Sequence, residues 1–154
     1  MQLKIHDEIV IKCTKKSALQ VIGTPTNWPS FINKIETLDY CNEVYTGVIK
    51  MGAKSGEFIG RLVETGDSDT IELSISFRDP ATNFEVLSSI IYRVVSKGDS
   101  VKITEDIWHK QDINIFWWFL IKAIQIGGWS AEASNLENLR DLFEKSGDKA
   151  DGTF

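Results

Sequence analysis

Glu105 is the side chain whose type and position in this sequence most favour chemistry. It shares strand parity with Ile103 and Ile107, so its carboxylate should face the apolar side of a sheet. Burial of an unpaired carboxylate is costly and raises its pKa, which suits a ligand anchor or a general acid and base. The structural alternative is a β-bulge that returns Glu105 to solvent, or an ion pair with Arg78 or Arg93.

Three further polar side chains could have either a functional or a purely structural role. Tyr92 and Ser88 share the inward parity of their strand with Ile90, and a cavity that orients an amphipathic ligand needs a few such hydroxyls among apolar walls. Alternatively, both hydroxyls only satisfy neighbouring backbone groups. Asp7 on the first strand either faces the cavity or lies at an edge beside a lysine.

Other kinds of catalytic site have no support in the sequence. His6 and His109 are the only histidines, and neither has the Cys/His spacing of a zinc site. No phosphate-binding loop, dinucleotide fingerprint or nucleophile elbow occurs. We therefore expect neither a metal nor a cofactor. A cyclase or hydratase that uses one carboxylate and one hydroxyl leaves no motif and stays an alternative.

The composition is typical of one soluble globular domain. The chain has 154 residues, of which 42% are hydrophobic, enough to bury a real core. Its formal net charge of −5 argues against a nucleic-acid partner, which requires a concentrated basic surface. The first twenty residues lack the apolar run of a signal peptide. Cys13 and Cys41 are therefore expected to be reduced thiols of a cytoplasmic protein.

The elements that would position these side chains follow from the hydrophobic pattern. Residues 2–12 alternate as a half-buried strand, and Thr14 is the predicted N-cap of a short helix that Gly23 ends. A second short helical turn is predicted within residues 24–31. Between residues 35 and 109, strand-like segments alternate with turn signals, and short turns force neighbouring strands to be antiparallel. We expect a sheet with one polar, solvated face and one apolar face.

The last predicted element is a helix from about Asp112 to Lys145 with many aromatic residues. Its second half is amphipathic, whereas residues 113–126 are apolar almost all round. That run is shorter than the ~20 residues needed to cross a bilayer. Gly127-Gly128 predicts a bend between the halves. One cavity cannot take aromatic side chains from both faces of a helix, so a homodimer partner or a membrane surface is the alternative contact for the rest.

This order of elements resembles the helix-grip fold of the START-like superfamily, which includes the SRPBCC families, the polyketide cyclases and the birch-pollen-allergen proteins. Residues 27–31, Asn-Trp-Pro-Ser-Phe, are similar to the Trp-Pro turn common after the first helix of SRPBCC proteins. Residues 56–60 are similar to the glycine-rich entry to a strand in the same family. The sequence departs from the family at residues 13–16, which replace the helix-opening Ala-Pro.

The resemblance covers about residues 2–146 and implies an α+β fold. We expect a curved antiparallel sheet of six to seven strands wrapped on a long C-terminal helix, with two short helices after the first strand. The expected domain spans residues 1–146, and residues 147–154 are expected to form a flexible tail.

Such domains enclose an apolar cavity between the sheet and the helix, so the resemblance implies binding of a lipid, a polyketide or a similar hydrophobic molecule. We expect a binding or carrier protein rather than an enzyme. One alternative is a cyclase/dehydrase-type enzyme with Glu105 as the acid/base and Tyr92 as an orienting donor; another is a protein- or membrane-interaction module. The expected ligand contacts are Trp28, Phe31, Ile75, Phe77, Val86, Ser88, Ile90, Tyr92, Ile103, Glu105, Ile107, Trp118 and Ile121.

Overall fold

The computed structural model describes residues 3–32, 35–41, 44–51, 54–78, 85–109 and 135–147. The chain begins with strand β1 (Leu3–Ile11), helix α1 (Lys15–Gly23), a 3₁₀ turn (Pro25–Asn27) and helix α2 (Trp28–Phe31). Six further strands and one described C-terminal helix follow: β2 (Ile35–Cys41), β3 (Val44–Met51), β4 (Lys54–Val63), β5 (Thr70–Arg78), β6 (Glu85–Lys97), β7 (Ser100–His109) and α3 (Asn135–Gly147).

The strands form one antiparallel sheet in the order β1-β7-β6-β5-β4-β3-β2. Strands β2 to β7 are a meander, because each short turn returns the chain beside the strand it has just left. The turn between β6 and β7 contains Gly98 at a φ of 66°, a conformation that glycine adopts without a steric penalty. The helices after β1 bring the chain to the far edge of the sheet, where β2 begins. The predictions of a helix-grip α+β fold and of six to seven strands are confirmed.

The two short helices are held by hydrogen bonds that the sequence partly predicts. Thr14 Oγ1 accepts a hydrogen bond of 3.1 Å from the backbone N–H of Ser17, which confirms Thr14 as the N-cap of α1. Trp28 Nε1 donates to the carbonyl oxygen of Ile22 at 3.0 Å. This bond joins α2 to the last turn of α1 and satisfies a carbonyl that the helix end leaves free.

The helices cover the concave face of the sheet, and the core lies between the two layers. Helix α1 contacts β5, β6 and β7, while α3 contacts α2 and β1. The apolar face of α3, formed by Leu136, Leu139 and Phe143, is buried, as its amphipathic pattern predicts. The largest fully buried side chains are Trp28, Tyr92, Phe31, Phe58, Ile22, Leu73, Ile103, Leu136, Leu139, Val94 and Val101.

The outer face of the sheet is less uniformly solvated than the alternation predicts. Asp106 projects from this face yet is only 5% exposed, and its carboxylate pairs with His6 at 2.6 Å and with Arg93 at 3.6 Å. Ser89 is 2% exposed and donates a hydrogen bond of 2.6 Å to Glu72. Both buried polar groups are therefore satisfied by partners on neighbouring strands.

Two features of the strands differ from a simple alternating pattern. The residues 52–56, Gly-Ala-Lys-Ser-Gly, have the composition of a turn, but β4 begins at Lys54 and Gly56 pairs with Ile49. The β2–β3 register shifts between Ile35 and Thr37, and a Cβ at Gly47, which pairs with Leu38, would lie 1.9 Å from the carbonyl oxygen of Thr37. This close backbone approach accounts for a glycine inside a strand.

Part of the predicted C-terminal region lies outside the described residues. This applies to the aromatic run at residues 113–126, the predicted bend at Gly127-Gly128 and the tail after residue 147. The second half of the predicted helix corresponds to α3.

Candidate functional site

Three polar side chains lie in one row across the concave face. Asp7 on β1 is directly opposite Glu105 on β7, and Glu105 is directly opposite Tyr92 on β6. Residues directly opposite each other project to the same side of a sheet. Both registers continue unbroken through Glu105, so no bulge returns its carboxylate to solvent.

Glu105 is buried and receives two hydrogen bonds on the same carboxylate oxygen. It is 4% exposed, and its Oε2 accepts from the hydroxyl of Tyr92 at 2.5 Å and from Nδ2 of Asn135 at 3.2 Å. Tyr92 is fully buried. Of the two arginines predicted as alternative partners, Arg93 pairs with Asp106 on the outer face, and Arg78 is the last residue of β5, which is not adjacent to β7.

The surroundings shift the pKa values of both groups upward. Burial is the main cause that raises the pKa of Glu105; the hydrogen bonds from Tyr92 and Asn135 oppose it, and the negative charges of Asp7 and Asp106 add to it. Burial, followed by the charge and the hydrogen bond of Glu105, raises the pKa of Tyr92 well above its usual value. Tyr92 therefore stays a protonated donor at neutral pH, while Glu105 is more easily protonated than an exposed glutamate.

The second oxygen of Glu105, Oε1, accepts no hydrogen bond from the described residues. Within the described residues both hydrogen bonds to this carboxyl group end on Oε2, and no fully buried polar side-chain atom lacks a partner. Oε1 is therefore not a fully buried atom. Because two donors occupy Oε2, the proton of a neutral Glu105 would reside on Oε1.

The accessibility of the concave face changes at the position of Glu105. On β7, Ile103 is fully buried and Ile107, on the other side of Glu105, is half-buried. On β6, Val94 is fully buried and Ser88 is half-buried. The concave face is thus closed at one end and accessible at the other, with Glu105 at the boundary.

Other predicted contact residues surround this row or support it. Phe31 is 1% exposed, and its ring meets that of Tyr92 edge-on at 6.2 Å between centroids. Ile75 and Ile90 lie on the same face, each 6% exposed. Trp28 has no exposed surface and its indole N–H is already bonded, so in this structure it supports the core beside α1.

For the remaining four predicted contacts, the side chains lie outside the described part of the structure. Phe77 and Val86 lie directly opposite each other on β5 and β6, but their side chains are outside the described part of the structure. Trp118 and Ile121 lie wholly outside the described residues.

Asn135 is the site residue that sequence reasoning missed. The predicted helix ran through this position without interruption, so Asn135 had no feature that separated it from a solvated helical residue. Its role depends on where α3 crosses the sheet. Asn138, one helical turn later, donates to the carbonyl oxygen of Phe31 at 3.3 Å, so two asparagines fix the start of α3.

An open groove of about 670 Å³ lies elsewhere, between β1 and the end of α3. None of the predicted contact residues lines it, and it adjoins the closed end of the concave face. Its two cations are already paired, Lys12 with Asp99 at 3.9 Å and Arg140 with Glu144 at 3.8 Å. The row at Glu105 has the more specific chemistry, because its polar atoms are buried and convergent.

The described residues contain neither a metal-binding cluster nor a membrane-spanning helix. No group of three or more His, Cys, Asp or Glu side chains in this part of the chain is arranged to hold a metal ion. Among the described helices, none has the length and apolar character needed to span a membrane.

The architecture matches that of solved structures with little sequence identity. A conserved protein from Geobacillus kaustophilus is similar with a TM-score of 0.70 and 11% identity, over 94% of this chain and 97% of that one. A START superfamily protein from Mycobacterium smegmatis has a TM-score of 0.63 and 9% identity, over 92% and 97% of the two chains. This chain therefore has the helix-grip fold.

The helix-grip match extends to an enzyme. A point mutant of norcoclaurine synthase from Thalictrum, in complex with a transition-state analogue, has a TM-score of 0.60 and 14% identity, over 92% of this chain and 91% of that one. No protein-family model matches the chain, and no curated protein matches its sequence. At these identities the likeness establishes the helix-grip fold alone.

Proposed function

We propose that this helix-grip domain binds an apolar or amphipathic small molecule on the concave face of its sheet, with Glu105 as the polar contact. The observation that supports this proposal is the geometry of Glu105. Its carboxyl group is buried where the face becomes accessible, and both described hydrogen bonds end on Oε2. Oε1 is thereby left to meet a ligand atom.

The surroundings of Glu105 have the composition of a small-molecule site. Such sites are mostly apolar and contain a few convergent polar groups that orient the ligand. Here the apolar wall comes from Phe31, Ile90 and Ile107, and the polar groups are the Glu105–Tyr92 pair. An interior with no ligand role would more simply contain an apolar residue in place of Glu105, because a buried carboxylate is costly.

The proposal is tested by filling the accessible end of the concave face. We expect Ile107→Trp to abolish binding of a neutral apolar dye such as Nile red, because the indole would occupy the space beside Glu105. Val95→Trp is the matched control, since Val95 is 50% exposed on the outer face. Native mass spectrometry and lipid extraction of protein purified from its own cells would identify the natural ligand. The absence of any bound or competable ligand in the unmodified protein would contradict the proposal.

A second candidate function is a cyclase/dehydrase-type enzyme, which the raised pKa of Glu105 favours. In such a reaction, ionised Glu105 would remove a proton from carbon next to a substrate carbonyl. The same carboxyl group would then return that proton to a departing hydroxyl, which leaves as water. Tyr92, as a fixed donor, would hold the Oε2 side of the carboxyl group during both steps.

The two functions are separated by Glu105→Gln. The amide keeps the shape of the side chain but cannot exchange a proton, so turnover of a cognate substrate should be lost while dye binding is retained. An unchanged rate would reject the enzymatic assignment. The residues of the predicted interaction module lie outside the described part of the chain, and no described contact favours that function.

A further inference from the structure

We infer that the ligand bound at Glu105 presents a protonated amine, which lies between the carboxylates of Glu105 and Asp7. This inference rests on the proposed binding function and adds the chemical class of the ligand's polar end.

The first argument is the pairing of two carboxylates on the concave face. Asp7 and Glu105 are directly opposite each other on β1 and β7, a position in which Cβ atoms are about 5 Å apart. Glu105 is 4% exposed, and the only described donors to it, Tyr92 and Asn135, are uncharged. Its Oε1 is unpartnered among the described residues and is not a fully buried atom. The site therefore has two acidic groups and a free acceptor atom.

The second argument is where the cations of the neighbouring strands lie. Every Lys and Arg residue of β1, β6 and β7 has the parity of the outer face. On that face Lys102 pairs with Glu8 at 3.2 Å, and Arg93 pairs with Asp106 at 3.6 Å. These strands therefore supply no cation to Asp7 and Glu105.

The described helices do not supply a cation either. Lys15 of α1 pairs with Asp69 at 2.5 Å, and Arg140 of α3 pairs with Glu144. The other two lysines of these helices, Lys16 and Lys145, are exposed to solvent. No described lysine or arginine neutralises the carboxylate pair. The neutralising cation would therefore come with the ligand.

The third argument is the sign of the charge that a ligand would bring. A desolvated ammonium donates charge-assisted hydrogen bonds to carboxylates. A ligand carboxylate would instead add a third acidic group. The site should therefore select an amine over an acid that has the same apolar body.

The test uses three probes with the same ten-carbon chain: decylamine, decan-1-ol and decanoate. Each would compete with Nile red, at concentrations below its aggregation threshold and at about pH 7, where the amine is protonated. We expect decylamine to bind about tenfold more tightly than decan-1-ol, and decanoate to bind most weakly. Equal or tighter binding of decan-1-ol or decanoate would overturn the inference.

Three variants that each remove one negative charge test which carboxylates cause the preference for the amine. Asp7→Asn and Glu105→Gln should each reduce the preference for the amine to about threefold or less. Glu8→Gln also removes one negative charge, but Glu8 is exposed on the outer face, so the preference should be unchanged. Circular dichroism verifies that each variant is folded, and Asp7→Asn, at a half-buried position, remains informative if Glu105→Gln is not. An equal loss in Glu8→Gln would attribute the preference to net charge and overturn the inference.

The same experiment separates this inference from the proposed function. If Nile red binds and all three probes displace it equally, the cavity exists and the inference about the amine is wrong. If neither the dye nor any probe binds, the proposed function itself is contradicted.

Discussion

The side-chain amide of Asn135 donates a hydrogen bond of 3.2 Å to Oε2 of Glu105, which attaches the first residue of α3 to a strand near the sheet's edge. Tyr92 donates to the same oxygen from the neighbouring strand. The charge on Glu105 is therefore coupled to the position of the C-terminal helix, and variants of these residues should change both.

Asn135→Asp should destabilise the protein, because a second carboxylate would face Oε2 in place of a donor. We expect a loss of about 2 kcal/mol in the free energy of unfolding at about pH 7, with recovery in acid as one carboxyl group becomes protonated. Urea denaturation at both pH values measures the change. Asn135→Ala removes the donor without adding charge, so it should lose less and recover less in acid. Identical behaviour of the two variants would contradict the coupling.

Tyr92→Phe should remove the shorter hydrogen bond to Glu105 and leave Oε2 with Asn135 as its described donor. Loss of a buried hydrogen bond to an acidic group should lower the free energy of unfolding by about 2 kcal/mol. The pKa of Glu105, followed by NMR of its carboxyl carbon, should rise further. The control is Tyr40→Phe, at a position that is 62% exposed, where a change within about 0.5 kcal/mol is expected. A loss in Tyr92→Phe no larger than in this control would count against the hydrogen bond.

The raised pKa of Glu105 predicts the sign of one contribution to the pH dependence of stability. The folded protein holds the proton of Glu105 more tightly than the unfolded chain does, because the pKa of this group is raised above its ordinary value of 4.5 on folding. Stability from this group is therefore fully present below that pH and is lost as pH rises through the raised folded pKa. Glu105→Gln should abolish this decline when unfolding is measured from about pH 4 to about pH 8.

Glu8→Gln is the control for the pH experiment, because the shift of Glu8 has the opposite sign. The hydrogen bond from Lys102, followed by its charge, lowers the pKa of Glu8. Any stability from Glu8 is present above its ordinary pKa and is lost as pH falls through the lowered folded pKa. The decline with rising pH should persist in this variant, and its disappearance would show that the assignment to Glu105 is wrong.

Gly47→Ala should be strongly destabilising. The new Cβ would lie 1.9 Å from the carbonyl oxygen of Thr37 and 2.7 Å from a ring carbon of Phe58, so the β2–β3 pairing would have to separate locally. Overpacking of this kind costs about 1–3 kcal/mol, and backbone contact favours the upper end. Gly60→Ala on the adjacent strand is the matched control, since its Cβ would meet only ordinary contacts at 3.6 Å. Thermal denaturation measures the midpoint temperature of each variant. Equal midpoint temperatures would contradict this prediction.

The two cysteines should differ in reactivity. Burial raises the pKa of the Cys13 thiol to about 11, whereas Cys41 is exposed on the edge strand β2. Because the thiolate is the reactive form, iodoacetamide at about pH 8 should alkylate Cys41 well before Cys13. Peptide mapping by mass spectrometry measures the order of labelling. Equal rates in the folded protein would contradict the burial of Cys13, and denaturation should remove the difference.

The direction of each candidate side chain could be read from the sequence, because side chains alternate along a strand. Glu105, Tyr92 and Asp7 share the parity of apolar neighbours, and the structure places all three on the concave face. The same rule fails to anticipate burial on the outer face. Asp106 is buried there because its partners, His6 and Arg93, come from the two strands beside it.

Residue alternation, the predicted cap at Thr14 and the turn signals determined the order of elements and the helix-grip architecture, because these properties depend on short stretches of chain. The contacts of Glu105 were decided by tertiary structure. Asn135 is 30 residues away in sequence and reaches Glu105 only because α3 begins over β7. Which oxygen of Glu105 accepts the described hydrogen bonds depends on packing between distant segments, and no local pattern encodes it.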